Sequence, residues 1–243
     1  MKKQLFLFLA LLVAVAGFSQ KVTVTATYYK VKIGARNALK QGMAAHLAKY
    51  RPAGSEYAIR VLNVTGGEHN GELLVLANSG VSFKQRDDLK PQPDEMYDDW
   101  AKNVSPHLEA MTGGDILIYR KDYSSKLGTL TSTAEKSVST CYSLIPSKMG
   151  KEFWDIVKKL PKVFDRMGAN TAAYIAYTGS DRLCYTNRYI NGWAELDNDS
   201  ILKKSYDEEY GAGSYDKDVA TFFSSVEKKS TVMLRLNKDL SSK

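Results

Sequence analysis

Hydrophobic and polar positions follow two periods along this chain, one typical of strands and one typical of helices. The segment KVTVTATYYKVKI, at 21–33, alternates between apolar and polar positions and is rich in β-branched residues, which predicts a strand. A helix is predicted next, which Pro52 and Gly54 end. Its apolar positions, which recur three and four residues apart, are Leu39, Met43, His46, Leu47 and Tyr50. Strands are predicted at 56–65 and 72–78, a helix from Asp94 to Met111 with a kink at Pro106, and a strand at 115–123. The first half therefore reads β-α-β-β-α-β.

The same order returns after a small, polar segment at 124–137, which we interpret as a linker. VSTCYSLI, NTAAYIAYT, RLCYTNRYI and STVMLRLN predict strands, and apolar residues at helical spacing predict helices around Phe153 and Phe222. The hairpin at 65–80 has a counterpart at 178–192, about 112 residues later, and the first helices of the halves match at an offset of 114. We predict a duplication, with repeats at 20–123 and 138–243.

This duplicated element order resembles the dimeric α/β-barrel superfamily, which includes antibiotic-biosynthesis-monooxygenase-like and chlorite-dismutase-like proteins. The resemblance covers nearly the whole chain after residue 19, and Trp193 follows the third strand of the second repeat, as an aromatic residue does in many such units. It implies an α+β fold of two ferredoxin-like repeats whose antiparallel sheets pack face to face as an α/β barrel. Such a sheet carries helices on one face only, so a second copy can cover its other apolar face.

Cations and phenols on the predicted strands form the candidate ligand site. Successive strand residues point to opposite faces, so one set of side chains would line the space between facing sheets. The set that we select is Tyr28, Lys30, Arg60, Tyr174, Tyr185 and Arg188. Guanidinium groups among tyrosines suit a small acidic or aromatic ligand. The alternative is that the lysine and the two arginines of this set are solvated cations at strand ends.

Motifs of known chemistry are missing. The sequence has no P-loop, no dinucleotide-binding glycine motif and no G-x-S-x-G. The three histidines all precede residue 108, and His46 falls on the core face of its helix, where Leu160 stands in the second repeat. Chlorite-dismutase-like proteins bind heme through a histidine of the C-terminal repeat, so we expect no heme, no metal site and no other cofactor. The leading hypothesis is a ligand-binding barrel protein. The alternatives are a cofactor-independent monooxygenase-like or isomerase-like enzyme, and a structural or interaction module.

The first residues predict export. Lys2 and Lys3 precede an uncharged apolar run from Leu5 to Ala16, and small residues follow. This pattern indicates a signal peptide at 1–19 that is cut after Ser19, giving a secreted or periplasmic protein. The net charge of +7 comes from scattered lysines, which argues against a nucleic-acid partner, and no later segment predicts a membrane span. The oligomeric state stays open.

Two cysteines occur in the chain, Cys141 and Cys184. Both are placed early in their predicted strands, which are neighbouring and antiparallel in a ferredoxin-like sheet. Antiparallel pairing would set the start of one strand against the end of the other, beyond the short separation that a disulfide requires. We therefore predict neighbouring but free thiols.

Overall fold

The computed structural model describes residues 21–55, 57–130, 134–178, 181–197 and 201–242, so the predicted signal peptide lies outside the described residues. Within these ranges the strands are β1 (Val22–Val31), β2 (Ile59–Gly67), β3 (Leu73–Ser82), β4 (Leu108–Tyr119), β5 (Lys136–Leu144), β6 (Asn170–Ala176), β7 (Arg182–Tyr189) and β8 (Val226–Leu236). The helices are α1 (Arg36–Tyr50), α2 (Phe83–Asp87), α3 (Asp94–Asn103), α4 (Lys151–Arg166), α5 (Ile201–Tyr210) and α6 (Ser214–Ser224). None of the helices in the described ranges is both long and apolar enough to cross a membrane.

The eight strands close into one antiparallel barrel in the order β1-β3-β2-β8-β5-β7-β6-β4. Each half contributes the strand order of a ferredoxin-like sheet, β4-β1-β3-β2 and then β8-β5-β7-β6. The halves join along two seams, where β2 pairs with β8 and β4 pairs with β6. The predicted α+β fold of two facing ferredoxin-like repeats is thus confirmed.

Strand alternation separates an inner layer from two outer helical layers. Along β1, Val24 and Tyr28 face the inside of the barrel, whereas Tyr29 and Val31 pack with α1 in the first helical core. Ile33 lies beyond the end of β1 and is fully exposed.

The two helical cores have the same design. In the first core, Leu39 and Met43 of α1 are buried against the outer face of β2 and β3. In the second, Phe153 and Val157 of α4 occupy the corresponding place against β6 and β7. Pro161 lies inside α4, which stays helical from Lys151 to Arg166.

The helix that we predicted from Asp94 to Met111 is shorter in the structure. This helix, α3, ends at Asn103, a short 3-10 turn spans Ser105–His107, and β4 begins at Leu108. Pro106 explains the difference, because proline has no N–H for a helical hydrogen bond. Gly113 and Gly114 do not end a helix but lie inside β4 with positive φ angles, where the pairing with β1 shifts register in a β-bulge.

The predicted linker packs against the barrel. Ser125 exchanges backbone and side-chain hydrogen bonds with Thr171 of β6, at 3.0 Å each. Gly128 lies so close that a Cβ atom on it would stand 1.8 Å from the Thr171 carbonyl oxygen. Leu130 and Ala134 then reach the inside of the barrel. The described residues of this segment therefore lie against one end of the barrel.

Candidate functional site

The space between the two sheets contains a cavity of about 280 Å³, which we call the lumen. Its middle is apolar and is walled by leucines from several strands: Leu62, Leu74, Leu76, Leu117 and Leu234. Both ends of the lumen carry charged and phenolic side chains. This combination of an apolar body and a few polar groups is typical of small-molecule sites.

The first end of the lumen lies beside the described linker residues Thr129, Leu130 and Ala134. Arg188 is buried there, and its guanidinium donates to the carbonyl oxygens of Thr129 and Leu130, the latter at 3.3 Å. It also donates to the hydroxyl of Tyr174 at 3.3 Å. Arg60 lies at the same end and donates to the carbonyl oxygen of Ala134 at 3.0 Å. Burial lowers the pKa of Arg60, and the charge of Arg188 lowers it further.

The opposite end of the lumen holds a different set of groups. The rings of Tyr28 and His69 stack with their centroids 3.8 Å apart, and His69 Nδ1 lies 3.1 Å from a carboxylate oxygen of Glu72. Arg182 forms an ion pair with Asp115 at 2.9 Å. Burial raises the pKa of Tyr28 to about 12, although the positive charge of Arg182 opposes the shift. Tyr28 is therefore a neutral phenol at physiological pH.

The structure brings together four of the six residues that we selected from the sequence: Tyr28, Arg60, Tyr174 and Arg188 line the lumen. Lys30 does not, because it lies on the surface and pairs with Glu109 at 2.7 Å. Tyr185 does not either. It has the opposite strand parity to Arg188 and packs outward against Phe164 of α4. Both placements correct our prediction.

Other lumen residues were missed in the sequence. Arg182 has the same strand parity as Arg188, six residues earlier on β7, so alternation alone could have indicated it. His69 belongs to the turn between β2 and β3, and its stacking on Tyr28 has no local signal. The linker residues Leu130 and Ala134 were also missed, because a small, polar segment gives no sign that it folds back onto a barrel.

Cys141 and Cys184 form a disulfide in the lumen wall, so our prediction of free thiols was wrong. The two residues are directly opposite each other on β5 and β7, with 4.0 Å between their Cα atoms. The error was in the strand position of Cys141. Because β5 begins at Lys136, Cys141 lies in its second half and meets the beginning of β7.

A second cavity, of about 270 Å³, lies outside the barrel in the second half, and we call it the outer cavity. It separates the outer face of β5, β7 and β8 from α4, α5 and α6. Asp218 is one of its few polar residues, and one carboxylate oxygen accepts from Lys159 and from the Tyr206 hydroxyl, both at 2.6 Å. Burial alone would raise the pKa of Asp218, but these two hydrogen bonds outweigh it and lower the pKa. The Tyr185 hydroxyl is buried and has no hydrogen-bond partner among the described residues.

The histidines do not fit a heme of the kind that the resemblance implies. The His46 ring is buried, with Nδ1 2.8 Å from an Asp99 oxygen and Nε2 accepting from Arg51 at 3.4 Å. His69 is stacked on Tyr28, and His107 lies in the turn before β4. The lining of the outer cavity contains no histidine, cysteine or methionine. Within the described ranges, no group of three or more histidine, cysteine, aspartate or glutamate side chains is arranged to hold a metal ion.

No family model matches the chain, and no curated protein matches its sequence. Solved structures do match its fold. A chlorite dismutase from Candidatus Nitrospira defluvii, solved with imidazole, is 8% identical and has a TM-score of 0.55, with 91% of this chain and 93% of that chain covered. A proposed monooxygenase from Fusobacterium nucleatum is 13% identical, with a TM-score of 0.53 and coverages of 91% and 94%. A proposed monooxygenase from Lactobacillus acidophilus is 8% identical, with a TM-score of 0.51 and coverages of 89% and 94%. The chain thus shares with these proteins the fold of two ferredoxin-like sheets closed into one α/β barrel.

Proposed function

We propose that the protein is an exported binding protein that holds a small acidic or aromatic ligand in the lumen. The observation that carries this proposal is the environment of Arg188. Its guanidinium is buried at the wall of a cavity, and among the described residues it bonds to two carbonyl oxygens and a hydroxyl but to no carboxylate. A buried cation without a counter-ion is unfavourable, and an anionic ligand would supply the missing charge.

The contacts of Arg188 suggest how such a ligand would bind. The carbonyl oxygens of Thr129 and Leu130 are neutral acceptors, whereas a carboxylate forms shorter and stronger charge-assisted hydrogen bonds. A ligand carboxylate at this end would also lie near Arg60 and the Tyr174 hydroxyl. The leucines in the middle of the lumen would then contact an aromatic or aliphatic body.

The disulfide in the lumen wall supports export, because disulfides persist mainly in oxidising compartments. It agrees with the signal peptide that the first residues predict. N-terminal sequencing of the secreted or periplasmic protein should therefore begin at Gln20. Protein that keeps Met1 and stays in the cytoplasm would contradict this part of the proposal.

Ligand binding is tested by calorimetric titration of aromatic acids, beginning with benzoate, 4-hydroxybenzoate and 2-naphthoate. Arg188→Gln retains donors for the linker carbonyls but removes the charge. A charge-assisted contact is worth about 1.5–3 kcal/mol, so the variant should bind at least about tenfold more weakly. Lys30→Gln is the matched control, because it removes a cation that lies outside the lumen, and it should leave the affinity unchanged.

Two results would contradict the proposal. One is that no acid binds the wild-type protein. The other is that Arg188→Gln and Lys30→Gln bind the acids equally well. The enzymatic alternative is checked in the same samples. The solved structures that share the fold include proposed monooxygenases, and a monooxygenase-like activity would convert the bound acid to a product with an added oxygen atom. Mass spectrometry of the recovered ligand distinguishes binding from turnover.

A further inference from the structure

The disulfide between Cys141 and Cys184 forms part of the wall of the lumen. The neighbouring lumen-facing positions on β5 and β7 carry small, polar side chains, which are Ser137, Ser139 and Thr186. Cys141 is half-buried, whereas Cys184 is 2% exposed. A small molecule in the lumen therefore reaches the disulfide most easily at Cys141.

The disulfide borders the same part of the lumen as Arg188. Arg188 lies on the same face of β7 four residues after Cys184, which is roughly 13 Å along the strand. Its guanidinium donates to the Tyr174 hydroxyl at 3.3 Å, and Tyr174 is directly opposite Cys184 on β6. The side chain of Arg188 is therefore tied to a residue beside the disulfide. A ligand whose carboxylate contacts Arg188 would extend along β7 with its other end at the disulfide.

The charges on β7 favour attack on this disulfide by a thiolate. Cys184 lies between two lumen-facing arginines of its own strand, Arg182 and Arg188. Arg182 is neutralised by Asp115 at 2.9 Å, whereas the hydrogen bonds of Arg188 to described residues go to carbonyl oxygens and a hydroxyl. Positive charge stabilises a cysteine thiolate, and a stabilised thiolate is the better leaving group in disulfide exchange.

We propose that the disulfide of Cys141 and Cys184 exchanges with a small aromatic thiol that carries a carboxylate and binds in the lumen. The inference rests on the proposed function, because Arg188 would hold the carboxylate. The ligand thiol first loses its proton to water. Its thiolate then forms a bond to Sγ of Cys141, the bond between the two cysteines breaks, and the electron pair leaves with Sγ of Cys184. The ligand sulfur is oxidised to a disulfide and Cys184 is reduced to a thiolate, so the exchange needs no other oxidant or reductant.

The test compares 4-mercaptobenzoate with 4-mercaptobenzamide, which has nearly the same shape but no charge. Each thiol is incubated below saturation with the purified full chain, and iodoacetamide then alkylates the released cysteine and stops the reversal. Intact mass spectrometry measures the adduct that carries one probe and one carbamidomethyl group. In the folded wild type the acid should react at least about tenfold faster than the amide, relative to their ratio in urea-unfolded protein. Peptide mapping should find the probe on Cys141 and the alkyl group on Cys184.

Two controls connect the reaction to the lumen. Arg188→Gln should slow the acid by about tenfold and leave the amide unchanged, whereas Lys30→Gln removes a cation outside the lumen and should change neither rate. Saturating benzoate should slow the acid thiol in the wild type. This competition needs no variant, so it tests the site even if Arg188→Gln does not fold.

The outcomes separate this inference from the proposed function. If benzoate binds in the calorimetric titration but the folded wild type shows no preference for the acid thiol, the exchange is refuted and the binding proposal stands. If benzoate does not bind and the acid thiol shows no preference, both fail. A preference for the acid that neither benzoate nor Arg188→Gln reduces would place the reaction outside the lumen and also overturns the inference. A probe mapped to Cys184 contradicts the assigned direction of attack.

Discussion

Removal of the disulfide gives the most quantitative test of the structure. The double substitution of Cys141 and Cys184 by alanine opens a loop whose ends are 43 residues apart. For a loop of this length, the chain-entropy relation predicts a stabilisation of about 4 kcal/mol at 25 °C. In a protein of this size each kcal/mol shifts the melting temperature by about 2–4 °C, so the variant should melt roughly 8–16 °C lower.

The assay is urea unfolding with and without dithiothreitol, and circular dichroism is the signal that monitors it. The wild-type protein should lose the same stability on reduction as it loses on substitution, whereas the double variant should not respond to the reductant. Because the effect acts mainly on the unfolded chain, the folded spectrum should be the same in all samples. Thiol counting of the wild type under denaturing, non-reducing conditions should find no free thiol.

Two observations would refute this reasoning. Two free thiols in the denatured wild type would show that the bond is absent. The other observation is a disulfide that is present but whose removal lowers the free energy of unfolding by less than about 1 kcal/mol. It would show that the loop is already constrained in the unfolded chain.

Two further predictions concern the linker and the buried histidine. Gly128→Ala should destabilise the protein by about 2–3 kcal/mol, because its Cβ would meet the Thr171 carbonyl oxygen at 1.8 Å, whereas Gly150→Ala, with open space around it, should cost less than about 1 kcal/mol in the same urea assay. Burial lowers the pKa of His46 below its ordinary 6.5, more strongly than the hydrogen bond to Asp99 raises it, so the folded state prefers the neutral ring. The unfolded chain then binds the proton more readily, and stability should be full above pH 6.5 and fall as the pH drops below it. His46→Gln should flatten this fall between pH 7 and 5, and an unchanged pH profile would contradict the assignment.

The element order and the facing sheets could be predicted because they depend on local periodicity. The alternation through Tyr28 and Tyr29 and the helical spacing of Leu39 and Met43 each survive in the folded structure. Parity also placed Arg60 and Arg188 on the inner face, since a strand residue keeps its face as long as the strand is regular.

Strand ends and long-range contacts could not be predicted in the same way. A shift of a few residues in the position of Cys141 along β5 decides whether it meets Cys184, and the sequence around it does not mark where the strand begins. Tyr185 is adjacent to Cys184, so the two must face opposite sides, and one candidate set could not contain both Tyr185 and Arg188 on a regular strand. The contacts of the linker with Arg188 connect segments that are more than fifty residues apart, which no local pattern records.

Barrel closure solves two problems of a ferredoxin-like sheet together. Each four-stranded sheet has one uncovered apolar face and two unpaired edges. Pairing β2 with β8 and β4 with β6 satisfies the edges, and the same step turns both uncovered faces into one lumen. Eight strands enclose an interior that side chains can just fill or that can hold one small ligand. In this chain several inward positions carry small side chains, among them Ala26, Ser137 and Ser139, and the space is not filled. The lumen therefore depends on the size of the inner side chains, and the strand number sets only its upper limit.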